Sequence, residues 1–214
     1  MITRWLSFLN EKKIILASGS LQRRVLLQDL GLKFEVKTSD FEENLEKSNP
    51  DDYVSQTCYK KLEKFLEDNK DLSLDMIITA DTIIEKDGKI YEKPKNKEEI
   101  YEWFSIYSNN SVNCSTSTCI AIIKKDSNGI NRIFKYTQFI TKTVVHFGEL
   151  SQEIIQDYIN SGEPFNKAGG FGIQGLGRTL IKKVEGCYFN VIGLPAYDFA
   201  YYFVKLLEDC YGKI

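Results

Sequence analysis

The residues best suited to chemistry lie in a short segment near the start of the chain. Ser18, Gly19 and Ser20 follow an apolar stretch and precede a predicted helix that carries Arg23 and Arg24. A loop of small residues at a helix start presents hydroxyl and backbone N–H groups to an anion, and arginine makes forked hydrogen bonds to phosphate. The segment predicts a site for a phosphate-bearing substrate, although such a turn can also be purely structural.

Two carboxylates are candidates for metal binding or water activation. Asp81 directly follows the apolar run at residues 76–80, where an unpartnered charge would be costly to bury. Glu43 lies in an acidic segment that follows a predicted strand. Phosphate-ester hydrolysis needs such groups to hold a divalent cation or to take a proton from water. The alternatives are a capping or turn role for Asp81 and a solvated surface for Glu43.

Further positive charge could come from Lys61 and Lys93. Either lysine could add a point charge to a phosphate site from another part of the chain, but taken alone each reads as a surface residue. His146 has no obvious nucleophile partner, so a structural role is the simpler interpretation.

Composition bounds the class of protein. The 214 residues have 43% hydrophobic and 27% charged content, enough for one large domain over residues 1–214. A net charge of −2 argues against a general nucleic-acid binder, and the apolar runs are too short to predict a membrane span. Five cysteines without a Cys-x-x-Cys pair indicate free thiols in a reducing cytoplasm.

Hydrophobic periodicity and turn residues predict strands that alternate with helices first and pair with one another later. The predicted strands are residues 14–17, 34–38, 76–84, 114–124 and 131–147, with short strands near 179–181 and 191–192. The predicted helices are residues 21–30, 50–68, 98–107, 152–159 and 196–207. This order predicts an α/β fold with a mixed sheet and flanking helices, in two lobes around a central cleft.

Several blocks of the chain, taken together and in order, resemble the Maf family of nucleoside triphosphate pyrophosphatases. The resemblance covers roughly residues 14 to 207. The blocks are residues 15–27 with 34–43, Ala80-Asp81-Thr82 with Lys93-Pro94, Gly162-Glu163-Pro164 with Lys167-Ala168-Gly169 and Gly172-Ile173-Gln174-Gly175, and residues 185–195. The resemblance implies a fold like that of the inosine triphosphatases, a homodimer, and hydrolysis of a triphosphate to the monophosphate and pyrophosphate with a divalent cation such as Mg²⁺ or Mn²⁺.

The same resemblance assigns roles to particular residues. Asp81 would be the general base, and Glu43 would assist with metal or water, so that both are expected metal ligands. Thr82 and Gln174 would contact the nucleobase. The side-chain amide of Gln174 offers both a donor and an acceptor to the edge of a pyrimidine. The triphosphate would be held by Ser18, Gly19, Ser20, Arg23, Lys61 and Lys93.

One position departs from the family pattern. The branch that hydrolyses dTTP and UTP has an arginine where this chain has Gln22, and that position is associated with substrate choice. The spacing of Ser20, Arg23 and Arg24 is similar to the 7-methyl-GTP branch, whereas Gln174 belongs to the pyrimidine branch. We expect dTTP and UTP as substrates. The alternatives are 7-methyl-GTP and a catalytically silent nucleotide-binding regulator of cell division.

Overall fold

A mixed β-sheet forms the centre of the fold. The computed structural model of the chain describes residues 1–42, 45–47 and 49–213. The strands are β1 (Ile14–Leu16), β2 (Glu35–Val36), β3 (Met76–Lys86), β4 (Lys89–Tyr91), β5 (Ser111–Lys125), β6 (Asn131–Phe147) and β7 (Ile181–Glu185). Within the described residues these seven strands form one sheet in the order β2-β1-β3-β5-β6-β7, and β4 pairs with the end of β3.

Helices flank this sheet, which confirms the predicted fold class. They are α1 (Leu6–Asn10), α2 (Leu21–Asp29), α3 (Pro50–Asp68), α4 (Lys97–Tyr107), α5 (Gln152–Asn160), α6 (Tyr188–Ile192) and α7 (Ala196–Tyr211). Side chains at the helix starts accept backbone N–H groups of the first turn, as N-caps do; these caps are Ser20, Asn49, Asn96 and Ser151. Within the described part of the chain, none of the helices combines the length and apolar character needed to cross a membrane.

The central strands bury side chains on both faces. Ile14 and Leu16 pack with α2, α7 and the N-terminal turns, whereas Ile15 packs with α3 on the opposite face. This alternation follows from the two-residue period of a strand. Because both faces are covered, β1 and the first residues of β3, 76–78, are apolar, as the runs in the sequence predict.

The course of β1 leaves part of β3 with an open edge. β1 pairs in parallel with β2 on one side and with β3 on the other, and its last pair joins Leu16 to Ile78. β4 begins to pair with β3 only at Ile84. Among the described strands, residues 79–83 of β3 therefore have no neighbour on this side. In open α/β sheets, ligands bind at the carboxyl ends of parallel strands where the connections diverge, and β1 ends here.

A second cluster of buried side chains lies at the other end of the long strands. It joins α4 and α5 to the ends of β5 and β6, and it is rich in aromatic rings. Tyr107 stacks on Phe147 with ring centroids 5.1 Å apart. The division into two lobes around a cleft, and the assignment of residues 1–214 to one domain, stay predictions.

Of the two short strands predicted in the last third of the chain, the one at 191–192 is wrong and the one near 179–181 begins later than predicted. Val191 and Ile192 end helix α6, and Thr179 lies in a 3₁₀ helix (Leu176–Thr179), while the strand begins at Ile181. Tertiary contacts explain the helix: Asn190 is fully buried, and its Nδ2 donates to the carbonyl of Cys114 at 3.0 Å. A run of two apolar residues cannot distinguish a helix from a strand by periodicity.

Candidate active site

A cavity of about 960 Å³ opens where β1 ends and the edge of β3 is uncovered. It brings together ten of the sequence-predicted site residues from distant parts of the chain. Glu43, predicted as a catalytic and metal-binding residue, lies outside the described residues. The ten that line the cavity are Ser18, Gly19, Ser20, Gln22, Arg23, Lys61, Asp81, Thr82, Lys93 and Gln174.

The serine loop, residues 17–20, connects β1 to α2. Ser20 is the N-cap of α2, and its Oγ accepts the backbone N–H of Arg23 at 3.4 Å. The first N–H groups of a helix have no partner within the helix, and its dipole places positive potential at this end. Gly19 brings the loop close to β2, because an added Cβ would lie 3.3 Å from the Cγ2 of Thr38. The loop therefore has the geometry of an anion site.

Arg23 ties three segments of the site together. The residue is only 9% exposed. Its guanidinium donates to Ser18 Oγ at 3.0 Å, to Thr82 Oγ1 at 2.8 Å and to the carbonyl of Gly193 at 2.8 Å. Arg24 is exposed and lies outside the cavity lining, so of the two arginines only Arg23 belongs to the site.

Asp81 forms an ion pair on the open edge of β3. Its Oδ1 lies 2.7 Å from the Nζ of Lys61, which comes from helix α3, and the two side chains are 10% and 15% exposed. An ion pair shielded from solvent interacts more strongly than one at the surface. The pair places a carboxylate and a cation on the side of the cavity that faces the serine loop.

Thr82 contributes to the scaffold of the site as well as to its wall. Its hydroxyl accepts from Arg23 and shares a 2.9 Å hydrogen bond with the hydroxyl of Thr116 on β5. Thr116 in turn donates to the carbonyl of Asn190 at 3.1 Å. These hydrogen bonds connect Thr82 in the cavity wall, through Thr116, to the buried residue Asn190 in helix α6. The predicted contact of Thr82 with a nucleobase stays a prediction.

Two charged cavity residues were missed from the sequence. Lys167 is half-buried, and its side chain passes the base loop, residues 172–177, so closely that a Cβ on Gly172 would lie 3.2 Å from its Cε. Counting only described lining residues, four cations face two carboxylates, which leaves an excess of two positive charges. Lys167 stands in the block that resembles the family, and that was the signal available for it.

Glu92 is the other missed residue. Its Oε1 accepts from the hydroxyl of Tyr53 at 2.5 Å, and its Oε2 pairs with the Nζ of Lys47 at 2.6 Å. Burial raises the pKa of Glu92, but the hydrogen bonds from Lys47 and Tyr53 outweigh it and hold that pKa below its ordinary value. Both carboxylate oxygens of Glu92 accept from these partners. Glu92 is therefore a structural part of the cavity wall and not an open ligand for a metal ion.

Comparison with known proteins identifies the family. The model of the family described as Maf-like protein matches residues 13–206. The chain belongs to the Maf-like family. That match includes every described residue of the cavity named above.

Curated relatives of this Maf-like chain share dTTP/UTP pyrophosphatase in their names. A dTTP/UTP pyrophosphatase of Clostridium perfringens (strain 13 / Type A) is 38% identical over 86% of this chain and 91% of its own length. A protein of the same name from Bacillus cereus is 38% identical over 87% of this chain and 86% of its own length. A Homo sapiens protein named probable bifunctional dTTP/UTP pyrophosphatase/methyltransferase is also 38% identical, over 91% of this chain, which spans only 32% of it.

The donor set of the Maf-like cavity suits a cation that arrives with a phosphate. The described part of the chain contains no cluster of three or more His, Cys, Asp or Glu side chains able to hold a metal. Mg²⁺ is commonly bound by one or two carboxylates together with substrate phosphates and water. The carboxylate of Asp81, across from the serine loop, fits that mode of binding.

Proposed function

We propose that this protein hydrolyses dTTP and UTP between the α- and β-phosphates, giving the nucleoside monophosphate and pyrophosphate. The observation that carries the proposal is the Asp81–Lys61 ion pair, which lines one cavity together with the serine loop and the start of α2. The names of the full-length bacterial relatives support the same reaction.

The triphosphate would lie along the cationic side of the cavity. The serine loop and the start of α2 would offer hydroxyl and N–H donors to its oxygens. Lys93 and Lys167 would add charge, since the side-chain Nζ of neither lysine makes a hydrogen bond or ion pair to another described residue. Arg23 would keep Ser18 in place through its 3.0 Å hydrogen bond while it lines the same wall. Preorganised donors of this kind stabilise charge that develops during phosphoryl transfer.

Asp81 would act as the general base. It would take a proton from the attacking water while the water oxygen bonds to the α-phosphorus, and the bond from that phosphorus to the bridging oxygen would break. The electron pair would leave with the pyrophosphate, whose charge the lysines would offset. A divalent cation such as Mg²⁺ or Mn²⁺, held by Asp81 and in our proposal by Glu43, would supply further neutralisation of the phosphates when bound.

Gln174 would recognise the nucleobase. Its side chain is exposed at the cavity mouth, on the base loop, and its amide can pair with the donor and acceptor of a uracil or thymine edge. Gln22 lines the same cavity, and its Oε1 accepts from the hydroxyl of Ser20 at 3.4 Å. We propose Gln174 as the main determinant of pyrimidine preference.

A panel of triphosphates tests the function directly. Purified protein with Mg²⁺ or Mn²⁺ should release pyrophosphate from dTTP and UTP with the highest kcat/KM, and in ¹⁸O-labelled water the label should enter the monophosphate. A preference for 7-methyl-GTP would replace the pyrimidine assignment. Binding without turnover of any triphosphate would indicate a nucleotide-binding regulator instead. Release of inorganic phosphate and the diphosphate would contradict the proposed bond.

The proposal includes the cellular compartment and the oligomeric state. We place it in the cytoplasm, since all five cysteines are free thiols as the sequence predicts. A homodimer also stays a prediction, which light scattering of the purified protein would test.

A further inference from the structure

Glu163 makes an unusual set of contacts for a residue at the edge of the cavity. It begins a short 3₁₀ helix (Glu163–Asn166), and its carboxylate turns toward the base loop. Oε2 accepts the backbone N–H of Leu176 at 2.6 Å, and Oε1 accepts that of Gly177 at 3.1 Å. Hydrogen bonds from backbone N–H groups to a carboxylate are among the stronger ones in proteins.

Tyr158 extends this contact to the other end of the base loop. Its hydroxyl donates to Glu163 Oε1 at 3.1 Å and accepts the backbone N–H of Gly172 at 3.3 Å. Burial and the nearby charge of Glu163 raise the pKa of Tyr158 well above its ordinary value, so the phenol remains a donor at neutral pH. The Glu163–Tyr158 pair therefore holds the backbone on both sides of Gln174.

The glycines of the base loop are explained by this close approach. A Cβ at Gly175 would lie 2.2 Å from Glu163 Oε2, and one at Gly177 would lie 2.8 Å from the hydroxyl of Tyr158. Both glycines have a negative φ, so backbone conformation does not require them. Glycine is needed at both positions because the carboxylate of Glu163 and the phenol of Tyr158 contact the loop backbone directly.

Arg178 holds the carbonyl groups of the same loop. Its Nε donates to the carbonyl of Gly175 at 2.8 Å, and its Nη2 donates to the carbonyl of Gln174. The backbone of Gln174 is thus held from its carbonyl side by a guanidinium and from its flanks by the Glu163–Tyr158 pair. Its side-chain amide makes no hydrogen bond to another described residue and is directed to the cavity.

We propose that Glu163 is a positioning residue for base selection, which fixes the backbone of the base loop and so sets the position from which Gln174 presents its amide to the nucleobase. This inference rests on the proposed function. An amide has a donor end and an acceptor end, and rotation by half a turn exchanges them. A displaced base loop would weaken the contacts that favour one amide orientation over the other, so uracil and cytosine would be discriminated less. Sites that leave a wrong partner unpaired reject it strongly.

The variant Glu163→Gln tests the proposal with little change in shape. The amide keeps one acceptor but turns a donor toward one of the two backbone N–H groups. We expect KM for UTP to rise and the ratio of kcat/KM for UTP over CTP to fall about tenfold, the equivalent of about 1.4 kcal/mol. The inhibition constant of inorganic tripolyphosphate, which has no base, should stay unchanged. Glu149→Gln, at an exposed position outside the cavity, is the matched control.

Other outcomes would overturn the inference. An equal fall of kcat/KM for UTP and CTP, or weaker binding of tripolyphosphate, would show that Glu163 acts on the phosphates or only on stability. Lack of UTP-over-CTP preference in the parent protein would also contradict it. If Glu163→Gln does not fold, Tyr158→Phe removes one hydroxyl and must lower the same ratio, or the proposal fails.

This experiment separates the inference from the proposed function. If the parent protein releases no pyrophosphate from any triphosphate, the proposed function is wrong. If the parent is active and selective while both variants keep its selectivity, only the role of Glu163 is wrong. Gly175→Ala should reproduce the loss of selectivity, because its methyl group would displace the Glu163 carboxylate.

Discussion

Replacement of Asp81 by asparagine should nearly abolish turnover while the protein stays folded. Asparagine keeps the size of the side chain but removes the negative charge that makes the charge-assisted hydrogen bond with Lys61, whose Nζ lies 2.7 Å from Asp81 Oδ1. It cannot take a proton from water. Loss of a general base lowers rates about 10²- to 10⁴-fold, so kcat for UTP should fall by that factor.

The stability cost of Asp81→Asn is also set by the ion pair. At an effective dielectric constant of about 20, charges at this separation attract by roughly 6 kcal/mol, most of which is offset by desolvation. Loss of a hydrogen bond to a charged group costs about 1.5–3 kcal/mol net. In a chain of this size, about 2–4 °C of Tm corresponds to each kcal/mol. We expect Tm to fall by roughly 3–12 °C.

Steady-state release of pyrophosphate and a thermal melt measure the two effects. Asp87→Asn is the matched control, since Asp87 is exposed in the β3–β4 turn and has a left-handed φ of 53° that asparagine tolerates. It should retain full activity. An Asp81→Asn enzyme that keeps more than about a tenth of the parent kcat would refute the assignment of Asp81 as general base.

Three further predictions concern other parts of the structure. Lys167→Met should raise KM for UTP about tenfold with little change in kcat, because a cation near the phosphates is lost, and kinetics at several salt concentrations would detect this. Glu92 has a lowered pKa in the fold, so it contributes stability above its ordinary pKa of 4.5 that is lost as pH falls through the folded value; Glu92→Gln should flatten acid denaturation measured between pH 6 and 3. Burial raises the pKa of three thiols, to about 12 for Cys114, so a thiol reagent should modify two cysteines in the folded protein and all five after unfolding. The reactive pair should be Cys187 and Cys210, and the protected ones Cys58, Cys114 and Cys119.

Local sequence signals predicted much of the fold. Helix α3 has the predicted bounds because Asn49 caps it and Pro50 occupies its first turn. Asp87-Gly88 is a pair typical of hairpin turns, and in the β3–β4 turn both residues adopt the left-handed φ of such hairpins. In contrast, α6 depends on the buried side chain of Asn190, whose partners are 76 and 47 residues away, so local patterns could not reveal it.

The residues of the candidate site likewise divide into those that the local sequence predicts and those that only the tertiary structure identifies. Ser18 follows the apolar strand β1, and Asp81 follows the apolar run at residues 76–80 within β3; both positions were visible in the sequence. The contacts of Glu92 with Lys47 and Tyr53 depend on how a loop and a helix meet in three dimensions. Lys167 and Glu163 stood in a recognised block, but only the tertiary structure shows what each side chain contacts. The role of Glu43, which lies outside the described residues, stays a prediction.

The contact between Arg23 and the carbonyl of Gly193 spans 170 positions of the chain. A ribosome that has released the first half of this protein has already made the serine loop, but the acceptor that anchors its arginine is still to be synthesised. Contacts of such long range form late and slow the search for the native state. Nascent or truncated chains that end before Gly193 should therefore lack a competent pocket, so that catalytic capability is acquired only after Gly193 has been synthesised.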